Sequence, residues 1–458
     1  MLSTLRPEDI ERFIGIEGYV TKVKGIGGVI KREPEDFLTW EVLVDGSDAR
    51  AIYANWRGFS KGLGDQVLAI MKKRRIDTIR ACTAISKKLG IKPKMISVCG
   101  IKDKMSVSWQ FVTIPKDFLG EEGIQLGSLI HLLPLKNVKS RLTSKSLAKN
   151  MFEIVIREIE ADSEEVKECI EELKVSGLPN FYGHQRFGIT RSITPIVGKY
   201  MMTGDLQKAV LSFLSEYSPL ESEENRKARR RFSEDMDPEA ALEYFPRSLR
   251  YEREMLRVLA EVKDDYVAAI RALPLRLRRL MVESVSALVF NKALSKIVKK
   301  GLLNELEIGD FVVRLDIHGR VEPGRPIEVK SGNFQQIEKL VSSRKFAIAL
   351  PVPGYLSSIP RSSKGEALLS ALEEVGVSLE MFRLREVPEA STRGSLRPII
   401  VPKWSCEIIR WGASSITLRI SLPPGSYATI LLREIMKPRS PLAFIGKMDN
   451  SDKVEGFG

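Results

Sequence analysis

Apolar positions recur along this chain with two periods, and the switches between them set the expected order of elements. Over residues 19–46 the pattern is β-like: Phe37, Thr39 and Glu41 alternate with Leu38, Trp40 and Val42. Pro34 has no N–H for a ladder, so 30–44 is predicted as a strand pair or one kinked strand. Helical spacing follows, with Ile79, Ala81, Cys82, Ile85 and Leu89 on one stripe, Asp77 as N-cap and Gly90 as stop. Met95-Ile-Ser-Val-Cys99 is apolar and partly β-branched, and Val107, Trp109, Phe111 and Thr113 alternate with polar or outward positions. Two strands are therefore predicted around a short polar turn. Residues 150–160 alternate as a strand, after which Asp162 caps a predicted helix over 163–175 that Gly177 ends.

From about residue 204 helices dominate. The strongly charged stretch 221–240 is predicted as an exposed helix, followed by helices over 249–262, 266–273 and 275–300 and by strand patterns at 309–316 and 345–350. Residues 395–401, 406–411 and 415–421 read as three further strands expected to complete the sheet begun before residue 180. A helix over 425–436 follows Pro423-Pro424. The polar tail 447–458 is expected to be mobile. No internal repeat is present.

At 458 residues, 43% of them hydrophobic and 29% charged, the chain is too long for one ordinary core and is expected to be soluble. A net charge of +13 and a pI of about 9.4 favour an anionic partner, nucleic acid first and an acidic membrane surface second. No apolar run of about 20 residues could span a bilayer, and the opening residues do not resemble a signal peptide. The four cysteines are dispersed and the three histidines isolated. That composition suits a reducing, cytoplasmic setting and gives a metal centre little to work with. Abundant Lys, Arg and Glu with scarce Gln follow the compositional direction of proteins from hot environments.

The densest chemistry lies in Gly100-Ile-Lys-Asp-Lys-Met-Ser106, where Asp103 stands between Lys102 and Lys104. Flanking cations favour an ionised carboxylate, and a turn between core strands suits an anionic nucleophile. The same spacing also fits a turn carboxylate with solvated lysines. Leu178-Pro-Asn-Phe-Tyr-Gly-His-Gln-Arg-Phe-Gly188 follows the helix at 163–175. Within it Asn180 and Gln185 can hydrogen-bond a base edge, Phe181, Tyr182 and Phe187 can stack, and Arg186 can pair with a phosphate or carboxylate. A rigid aromatic loop at a domain junction would have the same composition. Lys72, Lys73, Arg74 and Arg75 are phosphate-contact candidates or a solvated face. In the helical region Arg229, Arg230 and Arg231, with Arg226, Lys227, Arg276, Arg278 and Arg279, give an electropositive side unless the interleaved acids satisfy them internally. Gly25-Ile-Gly-Gly28 lacks both the lysine of a phosphate loop and a dinucleotide fingerprint.

The run 100–106 closely resembles the G-x-K-D-[KR] signature of the TruD family of tRNA pseudouridine synthases, and 178–188 resembles that family's P-N-[YF]-[YF]-G-x-Q-R-F-G signature. Lys31 to Glu41 keeps Lys31, Pro34, Glu35, Asp36, Phe37 and Glu41 of a K-x-x-P-E-D-F-x-V-x-E pattern, with Thr39 for its valine, and Pro424 to Glu434 extends the likeness to nearly the whole chain. The resemblance implies an α+β fold: a mixed, mainly antiparallel catalytic sheet domain over 1–203 and 391–458, interrupted by an inserted α+β TRUD domain over 204–390. It implies a cofactor-free isomerisation of uridine to pseudouridine in tRNA, at uridine 13, with Asp103 as the essential carboxylate. Lys102, Lys104 or Arg433 would keep Asp103 ionised. Asn180 and Tyr182 would line the pocket for the flipped base, with Glu41 by the cleft. The expected partner is tRNA, with no membrane, no metal and a monomeric chain; the alternative is a non-catalytic tRNA-binding protein on the same scaffold.

Overall fold

The structure is a computed structural model that describes residues 2, 5–159 and 162–446; the tail at 447–458, expected to be mobile, lies outside them. Eight strands come from the first third of the chain: β1 (Gly27–Val29), β2 (Phe37–Leu43), β3 (Gln66–Arg74), β4 (Ser97–Val98), β5 (Val107–Pro115), β6 (Ile124–Leu126), β7 (Ile130–Val138) and β8 (Leu147–Ile159). Six follow residue 300: β9 (Phe311–Arg314), β10 (Ile327–Glu328), β11 (Phe346–Val352), β12 (Ser395–Pro398), β13 (Ser405–Trp411) and β14 (Ser415–Leu422). The main sheet runs β13-β14-β8-β2-β5-β3-β7-β6, with β1 added on β8 and β4 on β5. Among the described strands only β2 and β5 pair in parallel, Leu38 opposite Val107 and Trp40 opposite Trp109. The expected mixed, mainly antiparallel α+β architecture is the one observed.

Two expectations fail here for physical reasons. Strand β5 is not polar on one side: Val107 to Ile114 is buried throughout. Val107, Trp109 and Phe111 pack against Trp40, Leu68 and Ile70. Val112 and Ile114 lie under Ala81 and Ile85 of the helix Thr78–Leu89. That helix, capped by Asp77 and ended by Gly90 in the left-handed conformation as expected, meets Gln110 through Thr78, and both Ser108 and Gln110 are enclosed. The second failure concerns β12. It was expected in the main sheet with β13 and β14, but it pairs with β11 at the edge of a second sheet, ordered β10-β9-β11-β12.

The helices Thr194–Thr203, Leu275–Lys299 and Ser363–Val375 fill the space between the sheets. Gly198 allows the first two to approach closely, since a Cβ there would lie 2.1 Å from the Met281 carbonyl oxygen. One apolar cluster runs from Val29 and Ile154 through Val285 and Phe290 to Leu350 and Leu418, so the core is continuous across both sheets. The charged helix Glu223–Asp235 is exposed only in part, because Ala228, Arg229 and Phe232 turn inward.

Candidate active site

Asp103 sits in the loop between β4 and β5, and a buried polar network holds the backbone of that loop. Lys73, on β3, donates through Nζ to the carbonyls of Ile76 (2.8 Å), Lys102 (3.3 Å) and Asp103 (2.8 Å). Ser106 Oγ donates to the same Asp103 carbonyl at 2.8 Å. Thr78 Oγ accepts from the Lys102 N–H (2.9 Å) and donates to Gln110 Oε1 (2.7 Å), while Gln110 Nε2 donates to the Gly100 carbonyl (2.8 Å). Gln110, enclosed on β5, therefore has a use: with Thr78 it fixes the loop that carries the carboxylate. Burial pushes the Lys73 ammonium down to about 8, although the charges of Asp103 and Asp77 oppose the change.

The cation beside Asp103 is Lys31. Its Nζ lies 2.6 Å from Asp103 Oδ2, with its side chain only 4% exposed against 37% for the aspartate. Lys31 adopts a left-handed backbone conformation at φ +62°, uncommon for a residue with a Cβ, and its Nζ stands 4.3 Å from the centre of the Phe37 ring. Asp36 braces the segment, accepting from Arg157 (2.7 Å to Oδ1) and from the Glu33 N–H (3.0 Å). Desolvation works to raise the Asp103 carboxyl. The Lys31 charge and hydrogen bond, the Lys73 charge and a hydrogen bond from Gln185 outweigh it and hold the group below the usual carboxylate range.

None of the cations expected to pair with Asp103 does so: Lys102 and Arg433 are engaged elsewhere. Lys102 Nζ pairs with Glu41 Oε1 at 2.7 Å, and Glu41 Oε2 accepts the Phe111 N–H at 2.9 Å. Glu41 is fully buried, neither a solvated strand residue nor a wall of an open cleft. It clamps β2 to the loop that carries Asp103 instead. Lys104 is exposed. Arg433 donates to Glu11 Oε2 (2.7 Å) and to the Gly18 carbonyl (2.8 Å), which ties the last helix to the N-terminal segment.

The second signature loop passes between the sheets. Its start is fixed by backbone bonds from Asn180 N–H to the Ile399 carbonyl (2.9 Å) and from Val401 N–H to the Leu178 carbonyl (2.8 Å). Asn291 grips its middle, accepting the Tyr182 N–H (2.8 Å) and donating to the Tyr182 carbonyl (3.0 Å). Phe181 and Phe187 are core residues and offer no stacking face. Asn180 is buried: its Nδ2 donates to the Pro398 carbonyl (3.0 Å), and its Oδ1 accepts from Arg397 Nη2 (2.7 Å) and Ser426 Oγ (3.2 Å). The Arg397 guanidinium also lies over the Tyr182 ring at 4.2 Å. Arg186 pairs with Glu283 at 2.7 Å. Asn180, Tyr182, Arg397, Ser426 and Arg320 line a cavity of about 730 Å³ between the sheets, and Gln185 links this loop to Asp103.

Of the cationic run, Lys73 is buried and cannot meet a phosphate. Lys72 is half-buried against the Tyr53 and Trp109 rings, Arg74 pairs with Glu35 at 2.5 Å, and Arg75 is exposed. Arg229 is likewise unavailable, enclosed by Glu221 (3.2 Å) and Glu252 (2.6 Å). Arg230 and Arg231 are exposed, over the Tyr217 and Tyr244 rings. Gly25 packs against the end of the final helix, where a Cβ would strike Met436 and Lys437, so that glycine-rich stretch serves packing.

Comparison with known proteins decides the family. A family model described as tRNA pseudouridine synthase D (TruD) matches residues 13–435. The chain belongs to the TruD family. Its members are RNA-modifying isomerases, and this chain is an enzyme of that class. It is 32% identical to the "Probable tRNA pseudouridine synthase D" of Methanosarcina barkeri over 94% of this chain and 98% of that one. A protein of the same name from Thermococcus sibiricus is also 32% identical, over 94% and 99%. The crystal structure of a Methanosarcina mazei chain named for tRNA pseudouridine synthase D superimposes with a TM-score of 0.75 at 31% identity, covering 95% of this chain and 99% of that chain.

Two residues that hold the site were not singled out for it from the sequence. Lys31 opens the K-x-x-P-E-D segment, and that position was the available signal. Arg397, in Leu396-Arg-Pro398, carried none. Among the described residues no helix is long and apolar enough to cross a membrane.

Proposed function

We propose that the protein isomerises uridine to pseudouridine in tRNA without a cofactor, with Asp103 as the essential carboxylate and uridine 13 as the target. The observation that carries the reading is the Asp103 carboxylate held ionised by a buried lysine at 2.6 Å, on a loop that internal hydrogen bonds keep rigid. In the isomerisation the uracil N1–C1′ bond breaks, the base turns, and a C5–C1′ bond forms while the C5 proton is lost and N1 gains one. The base is leaving group and returning nucleophile, so atoms and electrons balance with no external reagent. Asp103 would act at the sugar, by attack or by assisting departure. The cavity at Asn180 and Tyr182 would receive the extruded nucleotide, which must leave its stack before reaction. Asn180 keeps one Nδ2 hydrogen beyond its Pro398 bond for a base carbonyl. Residues 204–390 would act as the RNA-binding insertion, in a monomeric cytoplasmic enzyme.

The test is incubation of purified protein with unmodified tRNA transcripts and no added cofactor, followed by carbodiimide mapping of pseudouridine, with Asp103→Asn in parallel. Product from the native protein alone, with tRNA affinity of the variant within a few fold, supports the reading. Tight tRNA binding with no product from either would favour the non-catalytic alternative.

A further inference from the structure

The helix Arg250–Glu261 turns two chemically opposite faces in opposite directions. Met255, Leu256, Leu259 and Glu252 point into the core. Arg250, Arg253 and Arg257, at three- and four-residue spacing, share the outer face. The rotation is set by a buried charge cluster, since Glu252 accepts from Arg229 at 2.6 Å and lies 3.6 Å from Arg191. Drawing that carboxylate inside removes it from the surface. Arg229 thus orients an arginine face rather than forming one.

Arg247 joins from the preceding turn, and with Arg250, Arg253, Glu254 and Arg257 it lines a groove of about 300 Å³. Four cations face one carboxylate. Glu254 is occupied by Arg257 at 2.5 Å. Arg253 commits one nitrogen, Nη1, to the carbonyls of Leu242 and Phe245. Among the described residues no carboxylate pairs with Arg247 or Arg250. Several other arginines of 204–390 have carboxylate partners, Arg226 with Glu223, Arg231 with Asp235, Arg320 with Asp316, and Arg271 and Arg278 sharing Glu389, while Arg230 and Arg276 are without one among the described residues but do not line this groove. Excess positive charge is therefore left where guanidinium groups converge on a concave surface. Guanidinium forks match phosphate oxygens in pairs.

We propose that this groove binds consecutive phosphates of an RNA backbone, a contact that anchors the substrate without reading its bases. The proposal rests on the reading that the substrate is tRNA, but binding tests it separately from catalysis. The full-length variant Arg247→Gln/Arg250→Gln/Arg257→Gln spares Arg253, which holds two carbonyls. Its dissociation constant for an unmodified tRNA transcript is measured over a salt series, beside the native protein and Arg271→Gln. The expected result is a log–log salt slope shallower by about 2 to 3, at about 0.7–0.9 per lost phosphate contact. Arg271→Gln should keep the native slope, and the corresponding triple lysine variant should restore most of it. An unchanged slope in the triple glutamine variant overturns the groove. So does an unchanged tRNA slope accompanied by lost binding of polyglutamate, which would make it a site for acidic protein. Absence of pseudouridine from the native protein would sink the catalytic reading alone, and a reduced slope would still support the groove.

Discussion

Lys31 Nζ and Asp103 Oδ2 lie 2.6 Å apart, bringing together a buried lysine from the segment before β2 and a partly open carboxylate 72 residues later in the chain. The pairing is asymmetric. The lysine is sequestered and braced against Phe37, whereas the carboxylate keeps a side open toward solvent. An ion pair made only for stability has no need of that opening.

Replacing Lys31 by Met should therefore act first on ionisation. Asp103 is held below the usual carboxylate range against the opposing effect of desolvation, so without Lys31 its pKa rises. The acid limb of the pH–rate profile should move to higher pH, and turnover at neutral pH should fall by about tenfold or more. For stability the sign is that of a depressed acid: the contribution is present above the unfolded-state pKa and lost as pH falls through the folded one. Native and variant melting temperatures should differ at neutral pH and converge in acid. An acid limb that stays where it was would show that Lys31 does not set the charge of Asp103.

Arg397 should behave as a positioning residue. It donates to both the carbonyl (2.7 Å) and the side-chain oxygen (2.7 Å) of Asn180 and covers one face of Tyr182. Lysine has the charge but not the fork, so Arg397→Lys leaves one buried acceptor unmatched, at a cost of about 1–3 kcal/mol. If Asn180 and Tyr182 hold the extruded base, the variant should lose turnover at saturating tRNA while tRNA affinity changes little. Comparable loss of affinity and turnover would assign Arg397 to the fold alone.

The sequence was most readable where chemistry is local. Asp77, Asp162 and the helices they cap sit where spacing puts them, because a cap and a stripe lie within a dozen residues of each other. The turn carrying Asp103 and the aromatic loop were visible as segments for the same reason. Their partners were less so. Lys102 and Lys104 are the nearest cations along the chain, but adjacent side chains in an extended loop diverge. Lys102 thus reaches Glu41, Lys104 reaches solvent, and the pairing cation arrives from residue 31. Arg229 shows the complementary limit. A run of arginines on a helix looks uniformly basic until packing turns one of them inward onto Glu221 and Glu252. The polar positions of β5 likewise looked solvent-facing because nothing in their own segment announces what encloses them.

Lys73 offers a test in which stability and activity should move in opposite directions. Its ammonium supplies three donors to three backbone carbonyls, one of them that of Asp103, and burial lowers it to about 8 from the ordinary 10.5. Between those two values the unfolded chain keeps the proton and the folded chain has released it. The unfolded state then binds more protons, so stability rises with pH across that window. Below about 8 both states are protonated and the burial penalty stands in full. Deprotonation also leaves two donors for three carbonyls and withdraws a positive charge that favours the Asp103 carboxylate. Activity should therefore decline through about pH 8 while the melting temperature of the native protein, measured against Lys73→Met, rises. Parallel changes in the two would mean that Lys73 shapes the fold without reaching Asp103.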